Sequence, residues 1–81
     1  MMVTEVPVRR TVDARGSYCP GPLMELIRAI REGTVGDVIA VWSSDTGSRI
    51  DIPAWVEKAG HRLLGIESHD GYDELFVEKR R

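Results

Sequence analysis

The single cysteine of this 81-residue chain, Cys19, is the side chain best suited to covalent chemistry. It directly precedes Pro20-Gly21-Pro22, and an amphipathic segment follows. Because a residue before proline favours extended geometry, we expect Cys19 to lie just outside a helix that begins at Pro20. The positive end of a helix stabilises a nearby anion by roughly 0.3–1 kcal/mol. The sequence therefore predicts an ionised, nucleophilic thiol at Cys19.

A buried and inert cysteine is the structural alternative, since free cysteines often fill small sites in protein interiors. The two prolines favour the functional interpretation, because they restrict the segment before any partner binds. A Cys-His pair would require His61 or His69 to approach Cys19, and the sequence does not show that distance. One cysteine excludes an internal disulfide and a Cys-x-x-Cys dithiol, and with two histidines it makes a poor metal site.

A strand and a helix are predicted on either side of the cysteine. Residues 10–14 have a short β pattern, and Gly16 then supplies a turn. The next apolar residues recur at positions i, i+3, i+4 and i+7, which predicts a helix that ends before Gly33. They are Leu23, Leu26, Ile27 and Ile30. A β-branched run over residues 37–42 predicts a buried strand near the centre of a sheet.

A second helix is predicted after a polar loop over residues 43–48. Asp51 is placed to cap this helix, Pro53 falls in its first turn and Gly60 follows its end. Because functional residues often lie on loops held by a rigid scaffold, the loop before this helix is a candidate for binding.

Asp70-Gly71 separates two further segments of strand-like sequence, residues 62–69 and 72–79. The dipeptide suits a two-residue turn in which both central residues take positive φ, so these segments are predicted to form a β-hairpin. The complete order is then β-α-β-α-β-β. We predict an α/β two-layer sandwich of the α+β type, with a four-stranded mixed sheet and both helices on one face.

Four other residues are interpreted as structural. Trp42 and Trp55 occupy periodic apolar positions, and we expect both in the core. Glu25 and Arg28 lie three residues apart on the first helix, a spacing typical of a weak surface ion pair. Their closeness to the cysteine along the chain also makes these two charged residues candidates for partner binding.

Composition limits the classes of function. The net charge is −2, with 42% hydrophobic and 30% charged residues. This composition is typical of a soluble globular domain rather than of a nucleic-acid-binding or membrane protein. We expect a flexible leader over residues 1–8 and one domain over residues 9–81. A free thiol and the lack of a targeting pattern indicate the cytoplasm.

The segment from Val12 to Pro22, which contains a Cys-Pro-x-Pro motif, resembles the TusA (SirA-like) family of sulfur carrier proteins. A later Asp-Ile-Pro tripeptide belongs to the same pattern, and the resemblance covers about residues 11–80. The two-layer β-α-β-α-β-β fold of that family agrees with the order of elements predicted above.

The resemblance implies that Cys19 accepts sulfane sulfur as a persulfide and passes it to the cysteine of a partner. A cysteine desulfurase or a rhodanese-like protein would be the donor, and a DsrE-like, TusD-like or other thiol protein the acceptor. In such families the sulfur serves tRNA thiolation, molybdenum cofactor assembly or sulfur oxidation. Exchange between thiolates needs one exposed sulfur, so the covalent persulfide stands in place of a cofactor and no independent turnover site is implied.

Partner binding is expected on the rim around Cys19. The candidate residues are Arg15, Pro20, Gly21, Pro22, Glu25, Arg28 and Asp45. Gly21 departs from the family pattern, because relatives commonly carry a side chain at this position, and a contact made by that side chain would be missing here. We expect a monomer or a weak dimer, without nucleic-acid or membrane partners.

Two alternatives from other classes compete with this hypothesis. Cys19 could instead belong to a thiol-based redox or regulatory module that forms a mixed disulfide or a sulfenic acid. The chain could also be a nucleic-acid-binding module, because the same layer architecture occurs in a nucleic-acid-binding domain and fold does not fix function. The slightly acidic charge and the lack of a basic, aromatic strand face disfavour nucleic acid.

Overall fold

The computed structural model describes residues 7–18 and 21–81, which form a four-stranded sheet with two helices packed on it. The elements are β1 (Arg10–Asp13), α1 (Gly21–Glu32), β2 (Val38–Ser43), α2 (Ser48–Ala59), β3 (Arg62–His69) and β4 (Tyr72–Glu78). The predicted fold class and the order of the elements are confirmed, and the strand bounds agree within one residue. Most of the predicted leader lies outside the described residues. Neither of these helices combines the length and apolar character that crossing a membrane requires.

The strand order across the sheet is β1-β2-β4-β3, so β2 is interior as predicted. β1 and β2 run parallel, and β4 is antiparallel to both of its neighbours. The carboxyl ends of β1 and β2 meet the β3–β4 turn at one end of the sheet, near Asp13, Ser43 and Tyr72. We call this the hairpin end. The opposite end lies near Val38 and Glu78.

The main hydrophobic core lies between the helices and one face of the sheet. Leu26 of α1 and Ile52 of α2 are completely buried there. Side chains alternate along the strands, so alternate apolar residues of β1, β2 and β4 join this core. The members are Val12, Leu26, Ala29, Ile30, Ile39, Val41, Ile52, Val56, Leu75 and Val77. Burial of both helices against the same sheet face confirms the predicted layers.

The other face of the sheet, which we call the open face, carries no helix among the described elements. Its buried apolar residues are Val38, Ala40 and Phe76. Trp42 continues the row of alternate β2 residues on this face and is half-buried, so the prediction that it lies in the core is wrong. Trp55, by contrast, packs against the main core.

Helix α2 begins earlier than predicted. Its first residue is Ser48, and Gly47 precedes it without a side-chain cap, so Asp51 lies within the first turn rather than at the cap. The buried hydroxyl oxygens of Ser43 and Ser48 are 2.7 Å apart, which ties the start of the helix to the end of β2. Pro53 consequently lies in the second turn instead of the first.

The two glycine turns after α2 are both present. Gly60 follows the helix with φ +83°, a left-handed conformation that favours glycine. In the hairpin only Gly71 takes positive φ, at +88°, and Asp70 does not. The prediction of positive φ at both central residues is therefore wrong. A four-residue turn can have a single left-handed residue at its third position, and this chain has glycine there.

Candidate functional site

The connection between β1 and α1 carries the predicted nucleophile. Cys19 and Pro20 lie outside the described residues, so the site is built from the residues that flank them. The Gly21 N–H donates to the Tyr18 carbonyl oxygen over 2.7 Å. Tyr18 is 81% exposed. The two described sides of the connection are thus joined by a backbone hydrogen bond beside an exposed aromatic side chain.

Two hydrogen bonds hold the start of this connection against the end of β2. The Ala14 N–H donates to the Trp42 carbonyl oxygen over 2.9 Å, and the Gly16 N–H donates to Ser44 Oγ over 2.9 Å. Gly16 takes φ +86°, which a residue with a side chain rarely adopts. The predicted turn at Gly16 is confirmed, and it anchors the chain that leads to the cysteine at the hairpin end.

Arg15 makes a two-point contact with Asp13 in this connection. Its Nε and Nη2 donate to Oδ1 and Oδ2 over 2.9 and 2.8 Å, and its backbone N–H donates to Oδ1 over 3.1 Å. The side-chain hydrogen bonds first, and then the backbone bond, lower the pKa of Asp13 to about 2. The guanidinium is therefore paired with a carboxylate over a wide pH range.

Arg15 also packs on two aromatic rings of the open face. Its guanidinium carbon lies 4.9 Å from the ring centroid of Trp42 and 5.0 Å from that of Tyr72. Both distances are within the range of cation–π attraction. Partner binding by Arg15 stays a prediction, and the side chain that would do it is held in one orientation.

Gly21 and Pro22 follow the cysteine and differ in exposure. Gly21 is half-buried, and a Cβ added to it would lie 3.2 Å from Ser17 Cβ, which is a tight contact. This close packing gives a physical reason for glycine where relatives carry a side chain. Pro22 is less than 2% exposed, so the prediction that it contacts a partner is wrong: it is a buried residue of the first turn of α1.

The exposed surface of α1 includes Glu25 and Arg28, as well as Met24, which is 58% exposed. Arg28 Nε lies 3.4 Å from Glu32 Oε2, one helical turn later, and the predicted Glu25–Arg28 ion pair is wrong. Glu32 is also bound by Arg10 over 2.6 Å, and these contacts, that of Arg10 first, lower its pKa. Partner binding by Glu25 and Arg28 stays a prediction.

Asp45 belongs to the β2–α2 loop at the hairpin end. Its N–H donates to Ser43 Oγ over 3.2 Å, and its Oδ1 accepts from the Gly47 N–H over 3.1 Å. Its carbonyl oxygen accepts from the Ser48 N–H over 3.0 Å. Asp45 therefore shapes the start of α2, and its contact with a partner stays a prediction.

The two histidines lie at different ends of the sheet. His69 ends β3 at the hairpin end, the end at which the Cys19 connection leaves β1. His61 precedes β3 at the opposite end, where its Nδ1 accepts the Arg80 N–H over 3.1 Å. His61 therefore lies at the end of the sheet opposite to the one at which β1 leads into the connection.

A cluster on the open face goes beyond the sequence predictions. His69 Nε2 lies 2.8 Å from Glu74 Oε1, and Glu74 Oε2 accepts a hydrogen bond from Trp42 Nε1 over 2.9 Å. Glu67 is opposite Glu74 across β3 and β4. The hairpin register was the available signal, because a two-residue turn at 70–71 brings these two positions together on one face.

Comparisons with known proteins identify the family. The family described as sulfurtransferase TusA matches residues 10–79. A putative sulfur carrier protein of Archaeoglobus fulgidus is 53% identical over 68 residues, which cover 84% of this chain and 93% of that protein. The sulfur carrier protein TusA of Pseudomonas entomophila is 37% identical over 70 residues, which cover 86% of this chain and 88% of that protein.

A solved structure agrees with the sequence relatives. The crystal structure of a SirA-like protein from Desulfitobacterium hafniense matches with a TM-score of 0.77 and 27% sequence identity. The match covers 89% of this chain and 99% of that one. With the family pattern spanning β1 to β4 and the fold shared, the chain belongs to the TusA (SirA-like) family.

Proposed function

We propose that the protein is a sulfur carrier, which accepts sulfane sulfur as a persulfide on Cys19 and passes it to a cysteine of a partner protein. The observation that carries this proposal is the position of the sole cysteine in the sequence, within the β1–α1 connection of a TusA-family chain. The relatives that are named sulfur carriers support it.

Sulfur transfer of this kind needs one thiolate at each step. The Cys19 thiolate attacks the terminal sulfur of a donor persulfide, the S–S bond of the donor breaks, and the donor cysteine leaves as a thiolate. A partner thiolate then attacks the terminal sulfur on Cys19, and the Cys19 thiolate is released. One S–S bond forms for each one that breaks, so neither step needs an oxidant or a reductant.

The start of α1 supports the ionised thiol that this chemistry requires. The helix has 12 residues from Gly21 onward, and its positive end adjoins the cysteine along the chain. Its first turn contains no acidic side chain that would oppose a thiolate. These two features favour sulfur in the anionic form that attacks a persulfide.

A docking partner would meet exposed side chains on both sides of the cysteine. Tyr18 and Met24 are large apolar residues at 81% and 58% exposure. Glu25 and Arg28 add opposite charges beside them. Exposed apolar side chains together with charged ones suit a transient protein contact, so we assign donor and acceptor docking to these four residues.

The proposed donor is a cysteine desulfurase or a rhodanese-like protein, and the proposed acceptor is a DsrE-like, TusD-like or other thiol protein. The transferred sulfur would serve tRNA thiolation, molybdenum cofactor assembly or sulfur oxidation. The donor and the acceptor must each provide the cysteine that reacts with Cys19, because the sequence holds no second cysteine with which Cys19 could react internally.

Intact mass spectrometry tests the proposal. Reduced protein is incubated with a cysteine desulfurase and cysteine, or with a rhodanese and thiosulfate, beside a Cys19→Ser control of matched circular dichroism. The expected result is a gain of about 32 Da per sulfur atom on the parent protein alone, removed by dithiothreitol, whereas about 16 Da per oxygen atom would indicate a redox module instead. Absence of the sulfur adduct with both donors would overturn the proposal.

A further inference from the structure

The open face carries three potential metal ligands at the hairpin end. Glu67, His69 and Glu74 each offer one ligand atom, and these atoms lie within 4.8 Å of one another. The β3–β4 hairpin holds them in register, since Glu67 is opposite Glu74 and His69 is opposite Tyr72. We infer that these three side chains bind a divalent transition metal ion, and that zinc fits them best.

The charges of the cluster favour a cation. Glu67 and Glu74 face each other on neighbouring strands, an arrangement in which like charges destabilise a sheet. Among the described residues, neither carboxylate forms an ion pair with a lysine or an arginine. Arg15 lies over Tyr72 in the same region, but it is paired with Asp13. A bound dication would balance both carboxylates at once.

The ligand types and their spacing suit zinc. Zinc binds histidine nitrogen and carboxylate oxygen at about 2.0–2.2 Å, so two ligand atoms on a tetrahedral ion stand roughly 3.4 Å apart. His69 Nε2 and Glu74 Oε1 are 2.8 Å apart and would separate slightly to admit the ion. Atoms up to 4.8 Å apart would close to the same spacing by side-chain rotation. Three protein ligands leave the fourth position to water.

Neighbouring side chains already orient two of the ligands. Trp42 Nε1 donates to Glu74 Oε2, which leaves Oε1 directed at His69. The His69 ring stacks on Tyr72, with the centroids 4.9 Å apart and the planes 22° apart. Outer hydrogen bonds of this kind hold ligating carboxylates in place in metal sites. The side chains of His69 and Glu74 are 33% and 17% exposed, so an ion can reach them from solvent.

Zinc titration of the Cys19→Ser protein tests this site. That background removes the thiol, which is itself a zinc ligand. Calorimetry is expected to show one saturable site per chain. In a nitrogen–proton NMR spectrum the indole N–H signal of Trp42, which contacts Glu74, should shift with zinc, and that of Trp55 should not. Sulfur loading plays no part in these measurements, so their outcome is independent of the proposed function.

Matched variants separate this site from general zinc binding. Glu67→Gln and His69→Gln are each expected to weaken zinc affinity by about tenfold or more, because even outer partners of metal ligands contribute that much. His61→Gln and Glu57→Gln make the same chemical changes elsewhere and should keep the parental affinity. The inference would be overturned by parental affinity in the first two variants, by equal losses in all four, or by absence of saturable binding.

Discussion

The polar groups at the two ends of the sheet have different roles. At the opposite end, the Lys79 ammonium donates to the carbonyl oxygens of Ile30 and Gly33 over 2.6 and 3.0 Å and so caps the carboxyl end of α1. At the hairpin end, the connection into α1 carries the cysteine and the exposed Tyr18. The charged cap of α1 and the connection that contains the predicted nucleophile thus lie at opposite ends of the sheet.

The helix ends follow the same division. After α2, the His61 N–H donates to the Val56 carbonyl oxygen over 3.0 Å, which closes the helix at the opposite end together with Gly60. The amino end of α2 has Gly47 and no side-chain cap. Both helices begin at the hairpin end, so their positive ends lie on the side of the sheet where β1 leads into α1.

Replacing Lys79 tests this division with the largest expected effect. Lys79→Met removes two hydrogen bonds from a charged donor to partly buried carbonyls, and the free energy of unfolding should fall by about 1.5–3 kcal/mol. Urea denaturation measures this loss. Lys58→Met, a change at an exposed helical lysine, should stay within about 0.5 kcal/mol of the parent. Reduced sulfur loading by folded Lys79→Met protein would contradict the separation of structural and functional groups between the two ends of the sheet.

Tyr18 should show the reverse behaviour under the proposed function. Tyr18→Ala is expected to leave the free energy of unfolding unchanged and to weaken donor binding by about 1–2 kcal/mol, or roughly five- to thirtyfold. Val35, 61% exposed between α1 and β2 at the opposite end, provides the control as Val35→Ala. Calorimetry with the donor protein distinguishes the two, and equal affinities would remove Tyr18 from the docking surface.

Two glycines sharpen the comparison at smaller magnitude. Gly60→Ala forces a side chain into a left-handed conformation and moves Arg81, whose Cδ lies 2.7 Å from the added Cβ, so we expect a loss of about 1–2 kcal/mol. Among the described residues, the Cβ added by Gly21→Ala meets Ser17 Cβ at 3.2 Å, and Gly21 has ordinary φ, so this change should cost less. Thermal unfolding of both variants measures the difference, and a larger loss at Gly21 would contradict it.

The pH dependence of stability is expected to give the smallest differences. Burial first, and then the charges of Lys79 and Arg81, lowers the pKa of His61 from 6.5. The unfolded chain therefore binds the proton more readily, and stability present above pH 6.5 is lost as the pH falls below it. Urea denaturation at about pH 7.5 and about pH 5 should show a smaller decrease for His61→Gln than for the parent.

At the hairpin end, the ionisation of Asp13 makes the free energy of unfolding depend on pH in a more acidic range. Its folded pKa of about 2 lies below the ordinary 3.8, so the stability from its pairing with Arg15 is present above that ordinary value and lost as the pH falls toward 2. Asp13→Asn should remove this acid-dependent component and leave the His61 component intact. Loss of both components in this one variant would show that the two ends are coupled.

Local sequence patterns predicted the elements because each pattern has a local physical cause. Leu26 and Ile52 stand on apolar stripes and are buried as those stripes require. Positions that depend on strand pairing were predicted less well. Trp42 is apolar, but its face follows from the register of β2 rather than from its own type. The burial of Pro22 was also missed, because its place in the Cys-Pro-x-Pro motif indicates closeness to the cysteine but not which side of α1 its ring occupies.

The candidate site divides in the same way. The segment that carries Cys19 is contiguous in sequence, so its residue types and spacing are sufficient to predict a reactive thiol there. The Glu67, His69 and Glu74 cluster is assembled across two strands and completed by Trp42 from a third. The hairpin register alone places Glu67 opposite Glu74, but the contact with Trp42 depends on the pairing of β2 with β4, which no local pattern in the sequence predicts.

The strand order also bears on how the protein is made. β4 follows the other described elements along the chain, yet it lies between β2 and β3, and its pairing with β2 joins residues as distant as Val38 and Glu78. Contacts of such long range form late, because a large loop must close first. During synthesis the sheet therefore stays incomplete until β4 leaves the ribosome. Chains broken before Tyr72 should be cleared by proteases rather than accumulate as partly active carriers.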